Sequence, residues 1–112
     1  MLGVNDLAGM ATGIMIGMAD ITVVRNPDRN RYEALVDGKV AGFAQFRSKP
    51  GQLTFFHTEV DPAFEGKGVG SVLAKRALED VRKHGERVVA QCPFIASYIK
   101  RHEEFQDLVI EA

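Results

Sequence analysis

The sequence has little cysteine, little net charge and no long uninterrupted apolar run. A single cysteine, Cys92, excludes an intramolecular disulfide and is typical of a protein from the reducing cytoplasm. The formal net charge of −1 argues against a general nucleic-acid binder, which needs a basic surface. The longest apolar stretch is interrupted by glycine and is too short to span a bilayer, so no membrane contact is expected. Cys92 and the three histidines lack ligand-like spacing, so no metal site is predicted.

The N-terminal segment, residues 1–19, lacks lysine and arginine, and the first basic residue is Arg25. Because a secretory signal needs a positively charged start, this segment is a poor one. It is apolar and rich in glycine, and it contains all four methionines of the chain. We expect residues 1–19 to be a disordered or leader-like extension with a natural start at Met18, and residues 20–112 to form one domain. The alternative is a short apolar helix that covers a surface or makes a dimer contact.

Three glycines at alternate positions, Gly66, Gly68 and Gly70, follow an apolar strand-like run over residues 53–60 and precede a helical pattern. Glycine lets the backbone approach a ligand closely and adopt angles that a Cβ would forbid. The helix that follows directs its free N–H groups and the positive end of its dipole toward the loop. The stretch therefore predicts an anion site, most often a phosphate site.

Two familiar phosphate-binding loops match this stretch only in part. A Walker A loop is excluded because Asp61 stands where its first glycine belongs and Gly68 stands where Ser or Thr belongs. A dinucleotide-binding fingerprint fails only at its last position, but it needs a parallel βαβ context and an acidic residue about 20 positions on. The residues before this loop are typical of hairpins, and residues 88–92 contain no acid. A different phosphate or nucleotide binder remains an alternative.

The pattern along the chain predicts an α+β fold. Strands are expected over residues 21–24, 32–36, 40–46 and 53–60, joined by turns of which Asp37-Gly38 is a strong hairpin signal. A helix is expected from Gly68 to His84, followed by a buried strand over residues 87–92 that returns parallel to the strand before the loop. A final helix is expected from Pro93 to about Glu104, then a short strand over residues 108–110. Phe94 and Phe105 are predicted to be core residues.

The glycine stretch resembles the acyl-CoA pyrophosphate loop of the GNAT superfamily of N-acetyltransferases. That pattern is Val-x-Pro-x-x-(Arg/Gln)-Gly-x-Gly-(Ile/Val)-Gly, and the matching residues are Val60, Pro62, Gly66, Gly68, Val69 and Gly70. Glu65 departs, since it stands where the superfamily usually has Arg or Gln. Residues 92–105 also resemble the C-terminal segment of the small single-domain GNAT-like proteins. The resemblance covers residues 20 to 110, most of the chain.

The resemblance implies a minimal GNAT fold, with an antiparallel meander, a βαβ crossover and a C-terminal helix. In such proteins two neighbouring strands diverge, and acyl-CoA lies in the V-shaped gap. It also implies acetyl-CoA as co-substrate, no metal, and an acceptor that is an unidentified amine, either a protein lysine or N-terminus or a small amine. The cofactor-binding residues would be Val60 at the strand end and, around the pyrophosphate, Gly66, Lys67, Gly68, Val69, Gly70 and Ser71. A cytoplasmic monomer or weak dimer is expected.

Transfer of an acetyl group to an amine needs a base for the ammonium and an acid for the leaving thiolate. Glu59 and His57 lie two apart on a strand and therefore share a face, so they are the candidate bases. Cys92 resembles a cysteine of the small GNAT-like group and is a candidate nucleophile, with a small buried hydrophobic residue as the alternative. Tyr98 lies where many GNATs place the tyrosine that protonates the thiolate, with an ordinary amphipathic aromatic as the alternative.

A second hypothesis is a CoA-binding or acyl-CoA-binding module without catalysis. It is favoured by Glu65, a carboxylate beside the expected pyrophosphate, and by the absence of an obvious base. It predicts binding of CoA with no acetyl transfer to any amine.

Overall fold

The computed structural model describes residues 20–110. Within them the elements are β1 (Ile21–Asn26), β2 (Arg31–Val36), β3 (Lys39–Lys49), β4 (Gln52–Val60), α1 (Val69–Lys83), β5 (Arg87–Ala90) and α2 (Pro93–Arg101), with 3-10 turns at Pro62–Phe64 and Glu103–Leu108. The expectations for residues 1–19 lie outside the described part of the chain. None of the helices within residues 20–110 is long and apolar enough to cross a membrane.

The strands form one sheet in the order β1-β2-β3-β4-β5. The first four strands are antiparallel neighbours. β5 runs parallel to β4, as predicted, and α1 makes the crossover between them. At the β2–β3 turn Asp37 and Gly38 both have positive φ, 51° and 79°. This is the backbone that a tight hairpin turn requires, so the predicted Asp-Gly signal is confirmed.

The core lies between α1 and one face of the sheet. α1 buries Val69, Leu73, Ala77 and Val81 at four-residue intervals, which is one stripe of a helix. Three aromatic rings of the sheet pack together beneath it, those of Tyr32, Phe46 and Phe55. Since side chains alternate along a strand, the neighbours of these buried residues project from the opposite face of the sheet.

One polar link ties the core to the helix. The Tyr32 hydroxyl donates a hydrogen bond to Asp80 of α1 at 2.6 Å. Arg25 lies beside it and binds both carboxylate oxygens of Glu86, at 2.9 and 3.2 Å. The buried phenol is therefore satisfied, as a polar group removed from water must be.

Two predictions for the C-terminal part are corrected by the structure, and one is confirmed. α2 ends at Arg101 rather than near Glu104, because His102 adopts an extended backbone with φ −131° and ψ 90°. The predicted strand over residues 108–110 is reduced to a single bridge between Val109 and Val88, in which the Ile110 N–H donates to the Val88 carbonyl at 2.8 Å. Phe105 is buried, as predicted.

Phe94 was predicted to be a core residue, and this is wrong. Its side chain is 36% exposed, although it lies in the first turn of the helix whose Ile95, Tyr98 and Ile99 are buried. Helical periodicity does not separate it from these residues, since Tyr98 is four positions further on and therefore on the same side of the helix. Phe94 instead borders the glycine stretch.

Candidate functional site

The strands β4 and β5 diverge next to the glycine stretch. Their pairing runs from Gln52–Arg87 to Phe55–Ala90 and stops there. The N–H groups of Gln91 and Cys92 both donate to the Phe55 carbonyl, each at 2.9 Å. Beyond this point β4 continues to Val60 without a partner strand on that side, so a gap opens between the end of β4 and the start of α2.

The glycine loop joins this end of β4 to α1. Asp61 accepts a hydrogen bond from the Ala63 N–H at 2.9 Å and so starts the 3-10 turn. Gly66 and Gly68 then take positive φ angles, 82° and 78°, which a side chain would strain. Gly68 is the N-cap residue of α1, and no side chain caps that end of the helix. The first N–H groups of α1 therefore have no side-chain cap, which is the arrangement that the anion site predicted from the sequence would need.

A cleft of about 320 Å³ lies over the loop. Six of the predicted cofactor-binding residues line it: Val60, Gly66, Gly68, Val69, Gly70 and Ser71. Lys67 does not line the cleft, and its side chain is exposed. The remaining lining residues are Phe64, Glu65 and Phe94. The cleft therefore offers backbone N–H groups at the loop and an apolar wall beside it, which suits a ligand with an anionic group and a thin apolar portion.

Glu65 lies on this cleft with an exposed side chain. A carboxylate at this position is repelled by a bound phosphate, and the surrounding water reduces that repulsion without removing it. The sequence identified Glu65 as the one departure from the resembled loop, and the structure places it among the residues that line the cleft.

Cys92 lies at the point where the strands diverge. Its thiol is 3% exposed and belongs to the hydrophobic core. The sulfur is 3.2 Å from the hydroxyl oxygen of Thr58 on β4. This contact spans the gap between β4 and the start of α2. No sequence pattern indicated Thr58, because Thr58 and Cys92 are 34 positions apart and meet only in the folded chain.

His57 and Glu59 form a hydrogen-bonded pair, with His57 Nε2 and Glu59 Oε2 3.1 Å apart. Both side chains are exposed and lie next to the ring of Phe43. A bulge in β4 between Phe55 and His57 reverses the alternation, so they project from the sheet face opposite α1. The prediction that they share a face is confirmed. Neither residue lines the glycine-loop cleft. Glu59 lines a second cavity of about 270 Å³ at the ends of β3 and β4, and Val60 lines both cavities.

Tyr98 lies apart from both groups. Its ring stacks on His102 with 3.8 Å between centroids and 12° between planes, and the side chain is buried. Burial, followed by the nearby carboxylates of Glu104 and Glu79, raises the pKa of the Tyr98 hydroxyl above its ordinary value. The phenol is therefore protonated at neutral pH, although Tyr98 does not line the cleft.

Comparison with known proteins identifies similar chains. A family model described as GCN5-related N-acetyl-transferase matches residues 31–108. The NMR structure of a GCN5-like protein from Staphylococcus aureus, provisionally assigned as an N-acetyltransferase, is similar with a TM-score of 0.62 at 20% identity, over 85% of this chain and 93% of that chain. The ribosomal-protein-S18-alanine N-acetyltransferase from Escherichia coli is similar with a TM-score of 0.54 at 20% identity, over 63% of this chain and 49% of that chain. No curated protein matches the sequence significantly. These likenesses confirm the predicted minimal α+β fold.

Proposed function

Because the chain belongs to the GCN5-related N-acetyl-transferase family, we propose that it is an acetyl-CoA-dependent N-acetyltransferase that acts on an amine. The observation that supports this most is the cleft at the divergence of β4 and β5. It joins a helix N-terminus and two positive-φ glycines to an apolar wall. Acyl-CoA needs both features, because its pyrophosphate requires N–H donors and its long thin pantetheine arm requires an apolar surface.

In this proposal the pyrophosphate accepts hydrogen bonds from backbone N–H groups of the glycine loop and of the first turn of α1. Lys67 contributes charge from outside the cleft. The pantetheine arm follows Val60 toward the gap beside Cys92, so that the thioester stands where β4 has no partner strand. Binding in this gap brings the acetyl group and the acceptor together, and positioning of this kind accounts for a large part of the rate in acyl transfer.

The transfer itself must balance two protons. The acceptor ammonium first loses one proton to the base, and its nitrogen then forms the bond to the acetyl carbon. As the carbon–sulfur bond breaks, the nitrogen loses a second proton, which balances the proton that the departing thiolate gains from the acid. We propose Glu59, hydrogen-bonded to His57, as the base and Tyr98, which is protonated at neutral pH, as the acid. In the covalent variant Cys92 Sγ bonds to the acetyl carbon as the bond to the CoA sulfur breaks, and the Cys92 proton passes to the CoA thiolate. The amine then displaces Cys92 Sγ, which regains a proton from the amine nitrogen.

The binding site is tested by two glycine substitutions with matched strain. Gly66 and Gly38 have φ angles of 82° and 79°, and an added Cβ meets nothing within 4 Å at either position. Gly66→Ala and Gly38→Ala should therefore destabilise the fold equally, by about 1 kcal/mol. Isothermal titration with acetyl-CoA should show weaker binding for Gly66→Ala alone. Equal affinities for the two variants and the parent would reject the glycine-loop site.

The role of Cys92 is tested by intact mass after incubation with acetyl-CoA. A gain of one acetyl group that disappears in Cys92→Ser supports the covalent route. An unmodified protein that still acetylates an amine substrate supports direct transfer. Candidate acceptors for this assay are lysine-containing peptides, free peptide N-termini and small polyamines, because the acceptor is proposed only as an amine.

The non-catalytic binding module is the second candidate. It is favoured by Glu65 on the cleft and by the position of His57 and Glu59 on the other face of the sheet. It predicts acetyl-CoA binding that Gly66→Ala weakens, with no acetylation of any amine in the panel and no acetylated Cys92. The module hypothesis would be excluded if the protein acetylates even one amine and if Gly66→Ala abolishes that acetylation together with acetyl-CoA binding.

A further inference from the structure

Phe94 is a large apolar side chain that the fold leaves partly exposed at the edge of the glycine-loop cleft. It is 36% exposed, while the three apolar residues that follow it on the inner side of α2, Ile95, Tyr98 and Ile99, are buried. Its ring lines the cleft together with Val60 and Phe64. An exposed aromatic ring in a cleft is available to contact a ligand, whereas a buried one serves packing.

Gly70 lies directly under this ring. A Cβ built on Gly70 would be 2.8 Å from Phe94 Cζ and 3.4 Å from Phe94 Cε1, with a Val60 methyl at 3.6 Å. Unlike Gly66 and Gly68, Gly70 does not have a positive φ angle. The backbone therefore tolerates a side chain at position 70, and the need for glycine there comes from the ring of Phe94.

We propose that Phe94 is a positioning residue whose ring forms the apolar wall for the pantetheine arm of acyl-CoA, and that Gly70 makes room for that ring. This rests on the proposed function. The loop glycines hold the anionic end of the ligand, and Phe94, together with Val60 across from it, confines the thin arm that leads to the thioester. The need for glycine at position 70 thus comes from an aromatic side chain of α2, while the backbone N–H of Gly70 stays available to the pyrophosphate.

The roles of the ring and of the loop are separable with two ligands. CoA carries both the pyrophosphate and the pantetheine arm, and adenosine 3′-phosphate 5′-diphosphate carries the pyrophosphate without the arm. Phe94→Ala should weaken CoA binding about tenfold, as expected for the loss of one aromatic contact with an apolar chain, and should leave the affinity for the nucleotide within about twofold. Phe94→Leu, which keeps an apolar wall, should recover part of the loss.

A double-mutant cycle tests the link to Gly70. The atom that a new Cβ would meet is the far end of a side chain, so Gly70→Ala displaces the ring and leaves the fold intact. Gly70→Ala should therefore weaken CoA binding in the parent and have no further effect in the Phe94→Ala background. Val24→Ala serves as the control, because Val24 is a similarly exposed apolar residue, 38% exposed, on the distant edge strand β1.

Each outcome decides a separate point. If Phe94→Ala and Phe94→Leu weaken both ligands equally, or neither, the arm does not lie on the ring and the inference is overturned. If Gly70→Ala weakens CoA equally in both backgrounds, Gly70 acts without Phe94 and that part is overturned. If the parent protein binds neither CoA nor the nucleotide, the proposed function itself fails. Melting curves identify any variant that has lost its fold.

Discussion

At the scale of single residues, Glu65 is the one charged residue among those that line the glycine-loop cleft, where the other polar groups are backbone groups and the Ser71 hydroxyl. Replacing it by glutamine removes the repulsion toward a pyrophosphate and keeps the size of the side chain. We expect Glu65→Gln to bind acetyl-CoA about fivefold more tightly, since a charge pair several ångströms apart near the surface is worth about 1 kcal/mol. Titration calorimetry at low salt measures the change.

The gain from Glu65→Gln should shrink as salt is added, because ions screen exposed charges. Glu103→Gln is the control, since it removes an exposed carboxylate from the 3-10 segment behind α2. Equal tightening in both variants would show a general effect of net charge. Unchanged affinity in Glu65→Gln would mean that no anion sits beside this carboxylate.

Gly42 supports the site from the neighbouring strand. A Cβ at this position would lie 2.8 Å from the backbone oxygen of Glu59 and 3.4 Å from Val60 Cα, so β3 and β4 approach closely only because residue 42 is glycine. We expect Gly42→Ala to lower the free energy of unfolding by about 1–3 kcal/mol, as overpacking does, and to weaken acetyl-CoA binding by moving the end of β4. Urea denaturation and titration calorimetry measure the two effects.

Gly51→Ala is the comparison for Gly42→Ala. Gly51 lies in the β3–β4 turn with a φ of 75°, and its added Cβ meets nothing within 4 Å. That variant should lose stability through backbone strain alone and keep its affinity for acetyl-CoA. If both variants lose affinity in proportion to stability, the position of the β4 end is not what Gly42 controls.

At the scale of elements, an ion pair holds the C-terminal 3-10 segment on α1. Arg82 binds both carboxylate oxygens of Asp107, at 2.8 and 3.0 Å, and also donates to the Glu104 carbonyl. Arg87 of β5 donates to the Asp107 carbonyl at 2.6 Å. The segment thereby closes over Phe105 and Leu108, which are buried.

The Arg82–Asp107 ion pair makes the stability of the fold depend on pH. The hydrogen bond from Arg82 lowers the pKa of Asp107 below its ordinary value, so the folded state binds the Asp107 proton less readily than the unfolded state. The contribution is present above the ordinary pKa of aspartate, about 3.9, and is lost as pH falls through the lowered folded-state value. Asp107→Asn should flatten the fall in stability below about pH 4. Thermal unfolding from pH 7 to pH 2 measures how the stability of each variant changes with pH. Asp28→Asn, which removes an exposed carboxylate elsewhere, is the control, and its stability should fall with pH as steeply as that of the parent protein.

The sequence predicted the elements that depend on local pattern. The Asp37-Gly38 hairpin, the stripe of α1 and the glycine loop each follow from residues that are near one another in the chain, and the structure places them as expected. The end of α2 was missed because His102 is a common helix residue, and its extended backbone accompanies the 3-10 turn that brings Phe105 into the core. Periodicity also cannot tell whether an apolar residue in a first helical turn faces a core or a cleft, which is why Phe94 was assigned wrongly.

At the scale of the whole molecule, the candidate site depends on long-range pairing that no motif reveals. Thr58 meets Cys92 only because β5 returns beside β4, and the gap exists only because their pairing stops at Phe55 and Ala90. A bulge in β4 separates the candidate bases from the cleft: Gln45 pairs with His57 but Phe46 pairs with Phe55, so β4 has one extra residue and its alternation reverses there. His57 and Glu59 therefore project from the sheet face opposite that of Phe55. The sequence predicted most of the residues that line the glycine-loop cleft, but not how the candidate catalytic groups are distributed around it.

Among residues 20–110, those that line the glycine-loop cleft fall between Val60 and Phe94, and those of the buried core between Tyr32 and Leu108. We therefore expect a chain that starts at Asp20 to bind acetyl-CoA with the affinity of the full chain. A ligand that binds only the folded state at 100 times its dissociation constant stabilises it by about 2.7 kcal/mol, which raises the melting temperature of a domain of this size by roughly 10 °C. Thermal unfolding of both chains with increasing acetyl-CoA measures the shift, and the Gly66→Ala variant should need more ligand to reach it. A shift in the full chain that is absent from the shortened one would mean that residues 1–19 belong to the binding unit.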